Sequence, residues 1–172
     1  MTRGNDPSAT APEDPGALKV FKYNDGELSD CVSIAPNGGY GFGPRHIDFH
    51  PGKPFAYVIN ELDSTITTYR KSGPVLAPLQ TTPSCPDTFT GYSTGAEIWV
   101  GRDGRHVYVT NRGHDSIAVF AIDAATGKLT LVEIVPTGGK VIARIAPLLG
   151  LEPRFDLPPS DRLILAASRG TQ

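Results

Sequence analysis

FAYVINELDSTITTYR (55–70) and HVYVTNRGHDSIAVFA (106–121) are two copies of one pattern. Tyr57 corresponds to Tyr108, Asn60 to Asn111, Ile66 to Ile117 and Tyr69 to Phe120, each pair 51 positions apart without a gap. Working outward, GALKVFKYNDGEL (16–28) matches the later half of a unit, as in DSIAVFAIDAATGKL (115–129). RLILAASRG (162–170) matches RHVYVTNRG at a spacing of 57. The chain therefore holds the end of one unit, two full units and the start of another, and such a period is read before any single motif.

Each unit reads as four short strands. In the second full unit these are EIWV (97–100), HVYVTN (106–111), SIAVFAI (116–122) and LTLVEIV (129–135), rich in β-branched and aromatic residues and divided by RDGR, NRGHD and DAATGK. No apolar period of 3.6 residues is present, so helical repeats are excluded. A four-stranded repeat of roughly 40–50 residues is the mark of a propeller blade. The fold class is all-β: a partial β-propeller of four-stranded antiparallel blades, about three of an expected seven. Residues 17–36 are expected to end one blade, 44–83 and 95–136 to form full blades, and 153–172 to begin another. Residues 1–16, polar and rich in Pro and Asp, are expected to be a mobile tail. Propellers close rings of about 4–8 blades, so three blades imply a truncated chain or one that self-associates to cover its open flanks.

Composition agrees. Hydrophobic residues make up 39% and charged residues 20%, with 19 glycines and 16 prolines set between apolar segments. The net charge of -2 gives no general pull toward nucleic acid or an anionic membrane. No apolar run reaches the ~18 residues of a membrane span, and no secretory leader is read at the start. Cys31 and Cys85 lack metal-ligand spacing, and a cytoplasmic location is expected.

Where the first strand of a blade starts and the second ends, the two lie side by side. Those places carry Arg45, His46, Asn60 and Glu61 in one unit and Glu97, Asn111 and Arg112 in the next, with His114 close by. A solvated rim would explain charges there. However, Glu61 stands opposite Arg112 and His46 opposite Glu97, while the flanking apolar residues match. A site assembled from different blades has a use for that asymmetry.

GPRHIDFHPGKPFAYVINELDSTITTY and AEIWVGRDGRHVYVTNRGHDSIAVFAID with TGKLTLVE resemble the blade motifs of the lactonase seven-bladed propeller family, which includes 6-phosphogluconolactonases and carboxymuconate cyclases. The likeness covers roughly residues 16–139. It implies a site of arginines, a glutamate and a histidine, with Arg45, Glu61 and Arg112 as the catalytic set. The family's histidine would lie in a blade before this stretch, which leaves His46 as a neighbouring candidate. After Gly139 the likeness breaks: KVIARIAPLLGLE (140–152) intervenes as an atypical insertion before PRF, where Arg154 would stand for the next blade's arginine.

Three other signals carry less weight. GYSTG (91–95) matches a nucleophile elbow, but that motif needs a helix after it, and Ser93 precedes a strand. His46 and His50 in HIDFH would stand about 13 Å apart on a strand, too far to share an ion. GGYGFGPR (38–45) lacks dinucleotide-binding spacing. No metal and no cofactor is expected. The expected function is hydrolysis of an anionic sugar-acid lactone, with Glu61 as general base and Arg45 and Arg112 on the substrate. His46, Glu97, Asn60, Asn111 and His114 are the binding candidates. The alternatives are cyclisation of a polycarboxylate (a carboxymuconate, by an isomerase) and an inactive interaction scaffold.

Overall fold

The structure, a computed structural model, describes residues 16–36, 42–138 and the strand 163–166. The segments 1–15 and 140–152, and Arg154, lie outside the described residues. The described residues hold eleven strands and no α-helix. They are β1 (Leu18–Asn24), β2 (Glu27–Ile34), β3 (Pro44–Phe49), β4 (Phe55–Asn60), β5 (Thr65–Ser72), β6 (Val75–Pro83), β7 (Thr94–Val100), β8 (His106–Arg112), β9 (Ser116–Ile122), β10 (Leu129–Pro136) and β11 (Leu163–Ala166).

Two four-stranded antiparallel meanders, β3-β4-β5-β6 and β7-β8-β9-β10, are the two full blades. The third sheet has the order β11-β1-β2, so β11 is joined to the first strand of the described chain rather than standing alone. Tight turns link neighbours. At the β1–β2 hairpin, Asp25 (φ 48°) and Gly26 (φ 90°) both adopt the left-handed conformation that a two-residue hairpin turn requires.

Side-chain alternation turns the sheets into stacked layers. Phe55, Tyr57, Ile59 and Ile66 of the middle blade pack against Ile98, Val100, Val107, Val109, Ala118 and Phe120 of the next. The other face of the middle blade, with Ala56, Val58 and Tyr69, packs on Leu18 and Val20 of the first sheet. The middle blade is therefore apolar on both faces, and β4 is buried along its whole length. Each large side chain so enclosed contributes about 1.5–3 kcal/mol.

Polar groups tie the layers in register. Asp48 on β3 accepts the Val100 N–H across the interface at 2.7 Å, and the Tyr57 hydroxyl donates to the Gly127 carbonyl at 3.0 Å. Burial raises the Tyr57 phenol well above its ordinary pKa, so it stays a donor.

Candidate active site

Arg45 owes its position to a bulge. β3 pairs with β4 at Pro44↔Asn60 and then at His46↔Ile59, which leaves Arg45 as the extra residue. A bulge re-aims a side chain, and here Arg45 turns inward and is only 8% exposed. Its guanidinium donates to the Ala96 carbonyl of the adjacent blade. β7 carries a bulge at the corresponding place, between Gly95 and Ile98.

Glu61 follows the end of β4. Its N–H donates to the Gly43 carbonyl (2.7 Å), and its own carbonyl accepts the Gly95 N–H (3.1 Å). The backbone of Glu61 is thus clamped between its own blade and the next. Gly95 is needed there, because a Cβ on it would lie 2.6 Å from the Asn60 carbonyl oxygen and 2.7 Å from Ile59.

The Glu61 carboxylate lies between two guanidinium groups. Oε1 is ion-paired with Arg112 Nη2, and Oε2 lies 3.6 Å from Arg45 Nε. Arg112, the last residue of β8, is about a quarter exposed, as is Glu61. The three side chains named by the sequence converge on one place, drawn from two blades. Together they carry a net positive charge, a setting suited to an anionic ligand.

The other candidates divide. The exposed His46 packs beside Arg45, its ring nitrogens 3.4 and 3.5 Å from Nη1. Glu97 is half-buried on β7, with its N–H donating to Thr110 Oγ1. Asn60 and Asn111 are buried, and their amides are committed to their own corners. Asn60 Nδ2 donates to Thr65 Oγ1 (2.8 Å) and Thr67 Oγ1 (2.9 Å). Asn111 Nδ2 donates to the Ser84 carbonyl (2.8 Å) and meets Ser116 Oγ at 3.4 Å. These two asparagines hold the turns that carry Glu61 and Arg112. His114 meets Ser116 Oγ through Nδ1 at 2.7 Å and stands edge-on to Phe89 at 4.6 Å.

Sequence reasoning missed the loop 84–93 as a support. The hydroxyl of Ser84, fully buried, lies within hydrogen-bond distance of the Ser64 carbonyl oxygen (2.7 Å) and of Asn111 Oδ1 (2.6 Å), its one proton serving either acceptor, so it joins the two corners. The Tyr92 carbonyl lies against Gly113, beside Arg112. Nothing in the residue pattern marked Ser84, since its partners are distant in sequence. Ser93 accepts from Cys85 Sγ at 3.3 Å and is followed directly by strand β7, not by a helix. Asp48, between the two histidines of HIDFH, is occupied by the backbone N–H groups of Phe49 and Val100. Cys31 and Cys85 are free thiols.

Comparison with known proteins agrees with the fold. The family model described as "Lactonase, 7-bladed beta-propeller" matches residues 15–172. A 6-phosphogluconolactonase of Bacillus subtilis is 44% identical over 126 residues, covering 71% of this chain and 35% of the relative. Another from Photorhabdus laumondii is 41% identical over 127 residues, covering 70% and 38%. The chain thus spans a little over a third of these relatives' length. Among solved structures, a protein from Lactobacillus plantarum superposes with a TM-score of 0.67 at 28% identity, covering 88% of this chain and 42% of that one. A periplasmic gluconolactonase from Pseudomonas aeruginosa superposes with a TM-score of 0.61 at 30% identity, covering 86% and 40%. With its sequence matched over most of its length and its sheets superposing on these structures, this chain belongs to the lactonase seven-bladed β-propeller family.

Proposed function

We propose that the chain carries the catalytic corner of a lactone hydrolase acting on an anionic sugar-acid lactone of the 6-phosphogluconolactone type. The observation that carries this reading is the Arg45–Glu61–Arg112 cluster. The names of the related 6-phosphogluconolactonases support the substrate class.

Ring opening requires a water to attack the lactone carbonyl, a base to take its proton, and positive charge where the oxyanion develops. Both Glu61 oxygens face guanidinium groups. An anionic substrate competes for those groups, and Glu61 is then released to accept the proton of the attacking water. Arg45 and Arg112 hold the substrate anion and the new oxyanion, and no metal is required in this scheme. In this reading the site opens at the mouth of the propeller channel.

The test is the rate at which the purified protein hydrolyses 6-phosphogluconolactone above the spontaneous rate, with Glu61→Gln alongside. Turnover that is absent in the wild type removes the reading for this chain. Equal turnover in both proteins removes Glu61 as the base. Turnover of a carboxymuconate in place of the lactone moves the reading to the cyclase branch.

A further inference from the structure

The two full blades end in the same contact. Pro83, the last residue of β6, faces Thr65, and Pro136, the last of β10, faces Ser116. Ser84 and Thr137 therefore hold equivalent places, one residue further on. Ser84 donates its N–H to the Ser64 carbonyl (2.8 Å), and Thr137 donates its own to the Asp115 carbonyl (2.9 Å). Each hydroxyl lies beside the same carbonyl, at 2.7 Å for Ser84 and 2.9 Å for Thr137. Ser64 and Asp115 are themselves equivalent and both left-handed, with φ of 52° and 51°. In each blade the chain leaving the fourth strand is thus latched to the turn between the second and third.

Ser84 also reaches the next blade. Its hydroxyl lies 2.6 Å from Asn111 Oδ1, and its carbonyl accepts Asn111 Nδ2 at 2.8 Å. The Ser64 carbonyl already has a donor in the Ser84 N–H, which leaves the hydroxyl proton for Asn111 Oδ1. The Asn111 amide is then held at both ends by one residue, and both residues are buried. Ser64 closes the turn that Glu61 opens, and Asn111 immediately precedes Arg112. One buried residue therefore links the turn that carries Glu61 to the backbone that carries Arg112.

We propose that Ser84 is a positioning residue of the site: its hydroxyl, through Asn111, sets where the Arg112 guanidinium stands against the Glu61 carboxylate. Its effect on turnover rests on the lactone-hydrolase reading; its effect on Arg112 does not. Misplacing a group at a site by about 1 Å can cost on the order of 10²-fold in rate. Loss of this hydroxyl frees the Arg112 corner to move while the strands of both blades keep their own pairing.

The test compares Ser84→Ala, which removes only the hydroxyl, with Ser84→Thr, which keeps one and matches the residue type at position 137. Lactone turnover is measured for each, with Arg112 present and in an Arg112→Ala background. Ser84→Ala is expected to lower kcat/KM by about 10–100-fold with Arg112 present. In the Arg112→Ala background the loss is expected to be less than about 2-fold, because a residue that acts through Arg112 then has nothing to position. Ser84→Thr is expected to restore most of the rate. Equal losses in both backgrounds, or no loss in either, overturn the proposal.

A second readout needs no turnover. Arg112 Nε is buried, and its N–H resonance, identified by its absence from Arg112→Ala, is expected to shift in Ser84→Ala and to return in Ser84→Thr. An unmoved resonance overturns the proposal. Wild-type protein without lactone turnover removes the catalytic reading alone and leaves the resonance to decide this one. If Ser84→Ala fails to fold, Ser84→Cys, close in shape but a weak donor, takes its place with the same shift expected.

Discussion

Glu61 and Arg112 occupy the same position in successive repeats, 51 residues apart, and their side chains are ion-paired. Arg45 makes a parallel contact, donating to the carbonyl of its own repeat equivalent, Ala96. Equivalent atoms of adjacent stacked blades are related by one blade-to-blade step, and here that step leaves the two side chains within reach of each other. Repetition of the backbone therefore brings one position face to face with its copy. Opposite charges at the two copies convert what would be a repulsion into a paired site.

Glu61→Gln is expected to lower turnover of an anionic lactone by about 10²–10⁴-fold with little change in KM, as loss of a general base does. Arg112→Ala removes a charged contact worth about 1.5–3 kcal/mol, so KM is expected to rise by roughly 10–100-fold. Steady-state kinetics on both variants separates the roles; a KM effect alone in Glu61→Gln would assign that residue to binding.

Gly95→Ala places a methyl group against the Asn60 carbonyl and Ile59, where two blades touch. Overpacking of this kind costs about 1–3 kcal/mol. The expected result is a lower urea midpoint, with activity reduced further because Gly95 N–H also holds the Glu61 carbonyl.

Asp48→Ala strips a carboxylate that accepts the Val100 N–H across the blade interface and its neighbour's N–H at Phe49. A stability loss of about 1.5–3 kcal/mol is expected, the range for a hydrogen bond to a charged group. Asp48→Asn, which keeps an acceptor oxygen, should lose less. Denaturant melts of the two variants decide it.

Asp123 sets the β9–β10 turn. Its Oδ1 accepts from Thr126 Oγ1 and N–H, both at 2.7 Å, and from the Ala125 N–H at 3.0 Å. The Thr126 hydroxyl, then the Thr126 and Ala125 N–H groups, lower its pKa below the ordinary aspartate value. The folded form therefore binds the proton less tightly than the unfolded form. The resulting stabilisation is present above the unfolded pKa and is lost as pH falls through the lower, folded one. Thermal melts between neutral and strongly acidic pH should show this decline in the wild type. The decline should be smaller in Asp123→Asn; an identical slope in the two would remove Asp123 as its source.

The paired copies at 55–70 and 106–121 made the strands and the meander legible in the residues, because alternation and turn chemistry are local properties. The same spacing placed Arg45, Glu61 and Arg112 near one edge together with His46, Asn60, Glu97 and Asn111, and the family resemblance picked out the three. It did not show that Asn60 and Asn111 turn inward to hold their own corners, or that Ser84 joins those corners. Those outcomes depend on partners in other strands and other blades.

By itself, the sequence determined the repeat, the strand period and the charge asymmetry between copies, all of which lie within reach of a few consecutive residues. Only the tertiary structure decided that a bulge turns Arg45 toward Glu61, that Glu61 is held between two blades, and that β11 completes the sheet of β1. A one-residue shift in pairing reverses which way every side chain of a strand points. Which residues meet across sheets is thus fixed by register and stacking, which no short stretch of chain specifies alone.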